Sequence, residues 1–126
     1  MPIGMIRSPM GCKRGEIRLA NLNPPRGTEA GKTRPCIVLQ SDLLNDANHP
    51  STAVIPLTTR LVDAAAPLRF RVAQRGNLNA DSDAMIDQVR TIDNRRFTGE
   101  PLAAMSAREM AEIEEFLKIV LGMTSG

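Results

Sequence analysis

The order of apolar and polar residues divides the chain into short segments of period two, followed by one segment of helical period. In residues 15–22 (GEIRLANL), Ile17, Leu19 and Leu22 alternate with polar neighbours, which predicts a half-buried strand. Residues 23–33 (NPPRGTEAGKT) have no period and are rich in Pro, Gly and Thr, which predicts a mobile loop of about eleven residues. Arg34-Pro35 then enters CIVLQ, a short apolar run of the kind covered on both faces. Residues 41–51 are turn-rich, and residues 52–57 (TAVIPL) form a β-branched strand from which Thr58 and Thr59 emerge. Residues 68–72 (LRFRV) set Leu68, Phe70 and Val72 on one face and Arg69 and Arg71 on the other. After a turn cluster, residues 84–92 (AMIDQVRTI) resume the alternation as one strand, DNRRF predicts a turn or short helix, and Gly99-Glu100-Pro101 a break. Ser106-Ala107-Arg108-Glu109 is a capping box opening a helix to Leu121, with Met110, Ile113, Leu117 and Val120 on one stripe and Gly122 as the stop. Short strands and one terminal helix predict a mainly β (α+β) domain, a small bent sheet or partly open barrel with the helix packed on it.

Composition narrows the function classes. A chain of 126 residues, 42% hydrophobic and 24% charged, fits a single domain, taken as residues 14–126 behind a flexible tail at 1–13. No apolar run approaches the roughly 20 residues of a membrane span, and the first dozen carry no secretory pattern, so a cytoplasmic protein is expected. Cys12 and Cys36 are expected as two reduced thiols. A lone His49 and no C-x-x-C pair argue against a zinc site, and no metal or cofactor is expected. Net charge is only +2, yet residues 1–99 hold 14 basic and 9 acidic side chains against 2 and 5 in residues 100–126. A polyanion-facing surface would therefore lie in the first hundred residues. Thirteen of the sixteen basic residues are Arg, whose planar fork suits phosphate, although an Arg-rich composition has the same effect without any such role.

Three motifs, in order, carry a resemblance. Gly15-Glu16-Ile17-Arg18 is followed by Arg26-Gly27-Thr28-Glu29-Ala30-Gly31-Lys32-Thr33-Arg34-Pro35, and later by Asp87-Gln88-Val89-Arg90-Thr91-Ile92-Asp93. In order and spacing, from about Arg14 onward, the chain resembles the MazF/PemK family of toxins. That resemblance implies an SH3-like barrel of the plasmid-maintenance toxin type, a homodimer with two-fold symmetry, and metal-independent cleavage of single-stranded RNA (mRNA) to 2′,3′-cyclic phosphate and 5′-hydroxyl ends. It implies a cognate MazE/PemI-like antitoxin, whose acidic disordered tail folds over the RNA groove and displaces the loop at 23–33. It also assigns Arg34, Thr58 and Asp87 as catalytic residues. PemK-like members have Arg where this chain has Met85, some have His where it has Thr28, and Arg18 stands where an aromatic is usual.

Cleavage by the RNA's own 2′-hydroxyl needs a base, positive charge on the phosphoryl oxygens and a proton for the leaving 5′-oxygen. Arg34 would contact the phosphate and Thr58 would donate a hydroxyl hydrogen bond to it. Asp87 would act as base if a desolvated setting raised its pKa; His49 is the other titrating group to consider. Glu29, Lys32, Thr59, Arg69, Arg71, Gln88 and Arg90 are the expected RNA contacts, and base stacking falls to Arg planes or to Phe70 and Phe97. Bland roles stand beside these. Arg34 can tie the loop to a carboxylate, Thr58 and Thr59 can end a strand, Asp87 can pair with Arg90, and Glu29 can merely shape the loop. Two other readings share the fold: a non-catalytic RNA- or antitoxin-binding module, and a CcdB-like gyrase poison, whose C-terminal Trp this chain lacks.

Overall fold

The alternating segments pair antiparallel in the computed structural model, which describes residues 11–123. The described elements are β1 (Glu16–Asn21), β2 (Thr33–Val38), a short helix α1 (Asp42–Asp46), β3 (Ser51–Thr58), β4 (Arg69–Val72), β5 (Ser82–Met85), β6 (Arg90–Asp93), β7 (Phe97–Ala104) and helix α2 (Ala107–Val120). The sheet runs β4-β5-β3-β2-β1-β7, with β6 pairing the first half of β3. The fold is mainly β with a C-terminal helix.

The sheet carries a core on each face. Ile17, Ile37, Ile55, Leu57, Phe70, Val72, Ala84 and Ile86 pack with Met110 and Ile113 of α2. Ala20, Leu22, Cys36, Val38, Val54, Ile92 and Phe97 form the second core on the opposite face. The half-buried β1 expected from alternation is thus covered on both faces, with Ile17 in one core and Ala20 in the other. Arg18 is buried on that second face, its guanidinium donating to the Gly11 and Gly99 carbonyls at 3.1 and 3.0 Å. Cys12 also belongs to the second core, so packed structure begins ahead of Arg14; residues 1–10 of the expected tail lie outside the described residues. Cys12 and Cys36 are both buried and reduced.

Two expectations fail for identifiable reasons. Phe97–Ala104 is a strand running through the expected break at Gly99-Glu100-Pro101. It lies at the sheet edge, where Pro is tolerated, and Gly99 at φ +71 accompanies a register shift opposite Ile17–Leu19. The single strand expected over residues 84–92 is interrupted. β5 pairs Leu57↔Ala84, β6 pairs Val54↔Arg90, and the 3-10 turn Ile86–Gln88 is a three-residue insertion between the two ladders. On that side β3 is unpaired around Pro56, a residue with no N–H to offer.

Helix α2 begins as expected. Ser106 Oγ accepts from Glu109 N–H at 3.1 Å and Glu109 Oε1 from Ser106 N–H at 2.9 Å. Arg75 then grips Glu109 with two bonds of 2.6 and 2.8 Å, tying the β4–β5 connection to the start of the helix.

Candidate nucleic-acid interface

One row of side chains crosses the sheet on the face away from α2. Arg71 pairs with Asp83, Asp83 with Thr58, and Arg34 with Ala20. Continuing the β2–β3 register two residues past Cys36↔Pro56 brings Arg34 opposite Thr58. Directly opposed residues share a face, so the two expected phosphate ligands are neighbours at the end of the β2–β3 pair.

Arg34 is half-buried, its Nε donating to the Gly31 carbonyl at 2.6 Å and its Nη1 to the Leu57 carbonyl at 3.5 Å. Neither partner is charged. The loop-to-carboxylate role considered for Arg34 is not what its contacts show: it ties to the loop through a peptide oxygen, and no carboxylate among the described residues pairs with it. Thr58 Oγ1 accepts from Arg60 N–H at 3.1 Å, which leaves the hydroxyl proton for another acceptor.

The loop at residues 23–32 is organised by hydrogen bonds, whereas its composition predicted a mobile segment. Glu29 closes a turn by accepting from Arg26 N–H at 3.0 Å, the loop-shaping role rather than an outward contact. Lys32 N–H donates to Asn23 Oδ1 at 2.8 Å, with Lys32 at φ 68 and its side chain exposed. Gln88, expected to read RNA, instead clasps the loop: its Oε1 accepts from Ala30 N–H at 3.1 Å and its Nε2 donates to the Thr28 carbonyl at 3.2 Å. Gly31 is required here, since a Cβ would meet Pro25 Cγ at 2.8 Å.

Cations fall into two groups. Arg69 and Arg71, expected to face RNA, are drawn to the buried Asp83 at 3.5 and 2.6 Å, and Arg71 also to Asp63 at 2.8 Å. Among the described residues Arg26, Lys32, Arg34, Arg60, Arg90 and Arg96 have no carboxylate within ion-pair distance. These six sit in or beside the loop, after β3, or on β6 and the turn beyond it. Arg90 shares the Arg34 face; its Nη1 is buried and has no acceptor among the described residues. It does not pair with Asp87, which is exposed and makes no ion pair among the described residues. The desolvated setting considered for Asp87 is absent in the single chain. Thr59 is exposed beside Thr58.

Burial excludes both aromatic rings and one thiol. Phe70 and Phe97 lie in the two cores, so neither offers a ring for base stacking. Burial pushes the Cys36 thiol up to about 12 against the opposing pull of Arg34 and Arg90, so it is no nucleophile. His49 is exposed, and its hydrogen bonds among the described residues run through its backbone, its carbonyl accepting from Asn94 Nδ2 at 2.7 Å. Among the described residues no group of three or more His, Cys, Asp or Glu is arranged to hold a metal, and no helix is long and apolar enough to cross a membrane.

Asp83 is the residue that sequence reasoning misses. Burial opposes its charge, yet the hydrogen bonds from Arg71 and from Val62 N–H outweigh that and hold its pKa below the ordinary carboxylate value. The signal is an Arg-x-Arg strand with Ser82-Asp83 beyond it, in a stretch whose composition reads as a turn.

The model of PemK-like, MazF-like toxins of type II toxin–antitoxin systems matches residues 13–121. MazF from Deinococcus radiodurans superposes with a TM-score of 0.72 at 28% identity, covering 89% of this chain and 97% of that one. A MazE–MazF structure from the same organism gives 0.69 at 25% identity, covering 90% and 98%. The Mycobacterium tuberculosis toxin MazF-mt6 gives 0.71 at 20% identity, covering 87% and 99%, and supports the fold alone. With the family's model spanning nearly the whole described chain, the protein belongs to the PemK-like, MazF-like toxins of type II toxin–antitoxin systems.

Proposed function

We propose that the chain is an endoribonuclease that cuts single-stranded RNA by attack of the RNA's own 2′-hydroxyl on the adjacent phosphate. The observation that carries this reading is Arg34 opposite Thr58: a guanidinium oriented by two carbonyls and compensated by no described carboxylate, beside a hydroxyl whose proton is available. In the reaction the O2′–P bond forms and the P–O5′ bond breaks, leaving a 2′,3′-cyclic phosphate and a 5′-hydroxyl. Arg34 neutralises charge growing on the phosphoryl oxygens and Thr58 donates a hydrogen bond to the same group. Asp87 takes the 2′-hydroxyl proton once bound RNA or a second protomer covers it, and the departing 5′-oxygen takes a proton from solvent water.

Arg26, Lys32, Arg60, Arg90 and Arg96 provide the field that draws the RNA backbone in. We further propose a two-fold homodimer in the cytoplasm, silenced by an acidic antitoxin segment lying over the same cations. A Deinococcus radiodurans relative is itself found in complex with MazE. Exposure of Asp87 keeps one rival in view, a module that binds RNA or antitoxin without cutting.

The test is incubation of wild type, Arg34→Ala and Thr58→Ala with long single-stranded RNA in EDTA, followed by mapping of cut sites and end groups. EDTA-resistant cuts with cyclic-phosphate ends, sharply slowed in both variants, are expected. RNA binding by wild type without cutting across varied sequences would establish the module reading instead.

A further inference from the structure

We infer that Asp83 is a positioning residue for the Thr58 hydroxyl and for the turn after it. The inference rests on the endoribonuclease reading and names a residue outside its RNA-facing set. Asp83 is 1% exposed and stands next to Thr58 in the cross-strand row. Its oxygens are divided between two tasks. Oδ1 accepts from Arg71 Nε at 2.6 Å, while Oδ2 accepts from the backbone N–H of Val62 at 2.8 Å and lies 3.5 Å from Arg69 Nη1. Arg69 Nη1 donates onward to the Arg60 carbonyl at 3.2 Å, and the N–H of Arg60 donates to Thr58 Oγ1 at 3.1 Å.

A continuous set of bonds therefore runs from the buried carboxylate, through Arg69 and residue 60, to the hydroxyl. Residue 60 is held through its N–H by Thr58 and through its carbonyl by Arg69, and Val62 anchors the far end. A buried carboxylate needs its remaining lone pairs satisfied, and the group that does so here is the Val62 N–H in the turn. The bond to Val62 is what extends its reach into the turn. With Arg60 N–H fixed on one lone pair of Oγ1, the hydroxyl proton turns away from that peptide, toward the open face shared with Arg34.

Asp83→Asn keeps the volume but removes the charge holding Arg69 and leaves Val62 N–H a neutral, weaker acceptor. Cleavage of a short single-stranded RNA by this variant is expected to show kcat about tenfold lower with KM changed less than about twofold. The double variant Asp83→Asn/Thr58→Ala is expected to be no slower than Thr58→Ala, because Asp83 acts through Thr58. Losses that multiply, or an unchanged kcat, would overturn the inference. Amide exchange supplies a readout independent of activity: the Arg60 and Val62 amides should exchange faster in Asp83→Asn than in wild type, with the β2–β3 ladder unaffected. Equal exchange at those two amides overturns the inference, whereas a wild type that cuts no RNA sinks only the endoribonuclease reading. Should Asp83→Asn not fold, Arg69→Met leaves the Arg71–Asp83 pair in place and is expected to lower kcat in the same way; an unchanged kcat there also overturns it.

Discussion

A carboxamide offers the same donor and acceptor pair to a peptide group as to the edge of a base, and Gln88 spends that pair on the protein's own backbone. Its two bonds, to Ala30 N–H and the Thr28 carbonyl, hold the loop whose next carbonyl, that of Gly31, orients Arg34. Gln88→Leu preserves the bulk and removes both bonds, a local loss of roughly 1–3 kcal/mol. The loop should then be nicked faster by a protease cutting after Arg26 or Lys32, and RNA cleavage should fall with it. Equal nicking rates in variant and wild type would show that the loop holds itself. The strand positions of Arg34 and Thr58 were legible from the alternating segments that carry them. The partners of Arg69, Arg71 and Gln88 were not, because a side chain's identity does not reveal whether its acceptor belongs to the protein or to a ligand.

At the scale of elements, α2 was the most legible part of the chain, its start written in one capping box and its buried face in one stripe. Its tie to Arg75 has a pH signature. The hydrogen bond from Arg75, against the opposing effect of burial and aided by the Ser106 backbone bond, holds the Glu109 carboxyl down at about 2, from an ordinary 4.5. A carboxyl with a depressed folded-state pKa contributes stability that is fully present above its unfolded value and disappears as pH falls through the folded one. Glu109→Gln should therefore be less stable than wild type at pH 7 by on the order of 2 kcal/mol. That difference should shrink between pH 4.5 and about 2, as measured by denaturant titration at each pH. A difference independent of pH would show that the charge of Glu109 is not what stabilises the contact. β7 was hidden for the opposite reason: Gly99 and Pro101 are strand breakers by residue type, and only an edge position with a register shift accommodates them.

For the whole molecule, net charge says less than how the charges are paired. Arg71 and Arg60 lie close in sequence, yet one is committed to Asp83 and Asp63 and the other to no described carboxylate. Measured as the slope of log binding constant against log salt, Arg60→Gln should lower the RNA counterion release by about 0.7, the contribution of one single-strand phosphate contact. Arg71→Gln should leave the slope unchanged; equal effects would mean that the internal pairs open when RNA binds. The sheet-plus-helix architecture was readable from periodicity, because apolar spacing is set locally. How two cores share one sheet was not, since that depends on a parity that no local window contains. In an unbroken strand Ala84, Ile86, Arg90 and Ile92 would all point the same way. The odd number of residues in Ile86–Gln88 reverses that parity, so Ala84 and Ile86 fill the core under α2 while Ile92 fills the other. Deleting one residue from the turn, or adding one, would carry Arg90 to the helix side and exchange a cation on the Arg34 face for a charge buried in the main core.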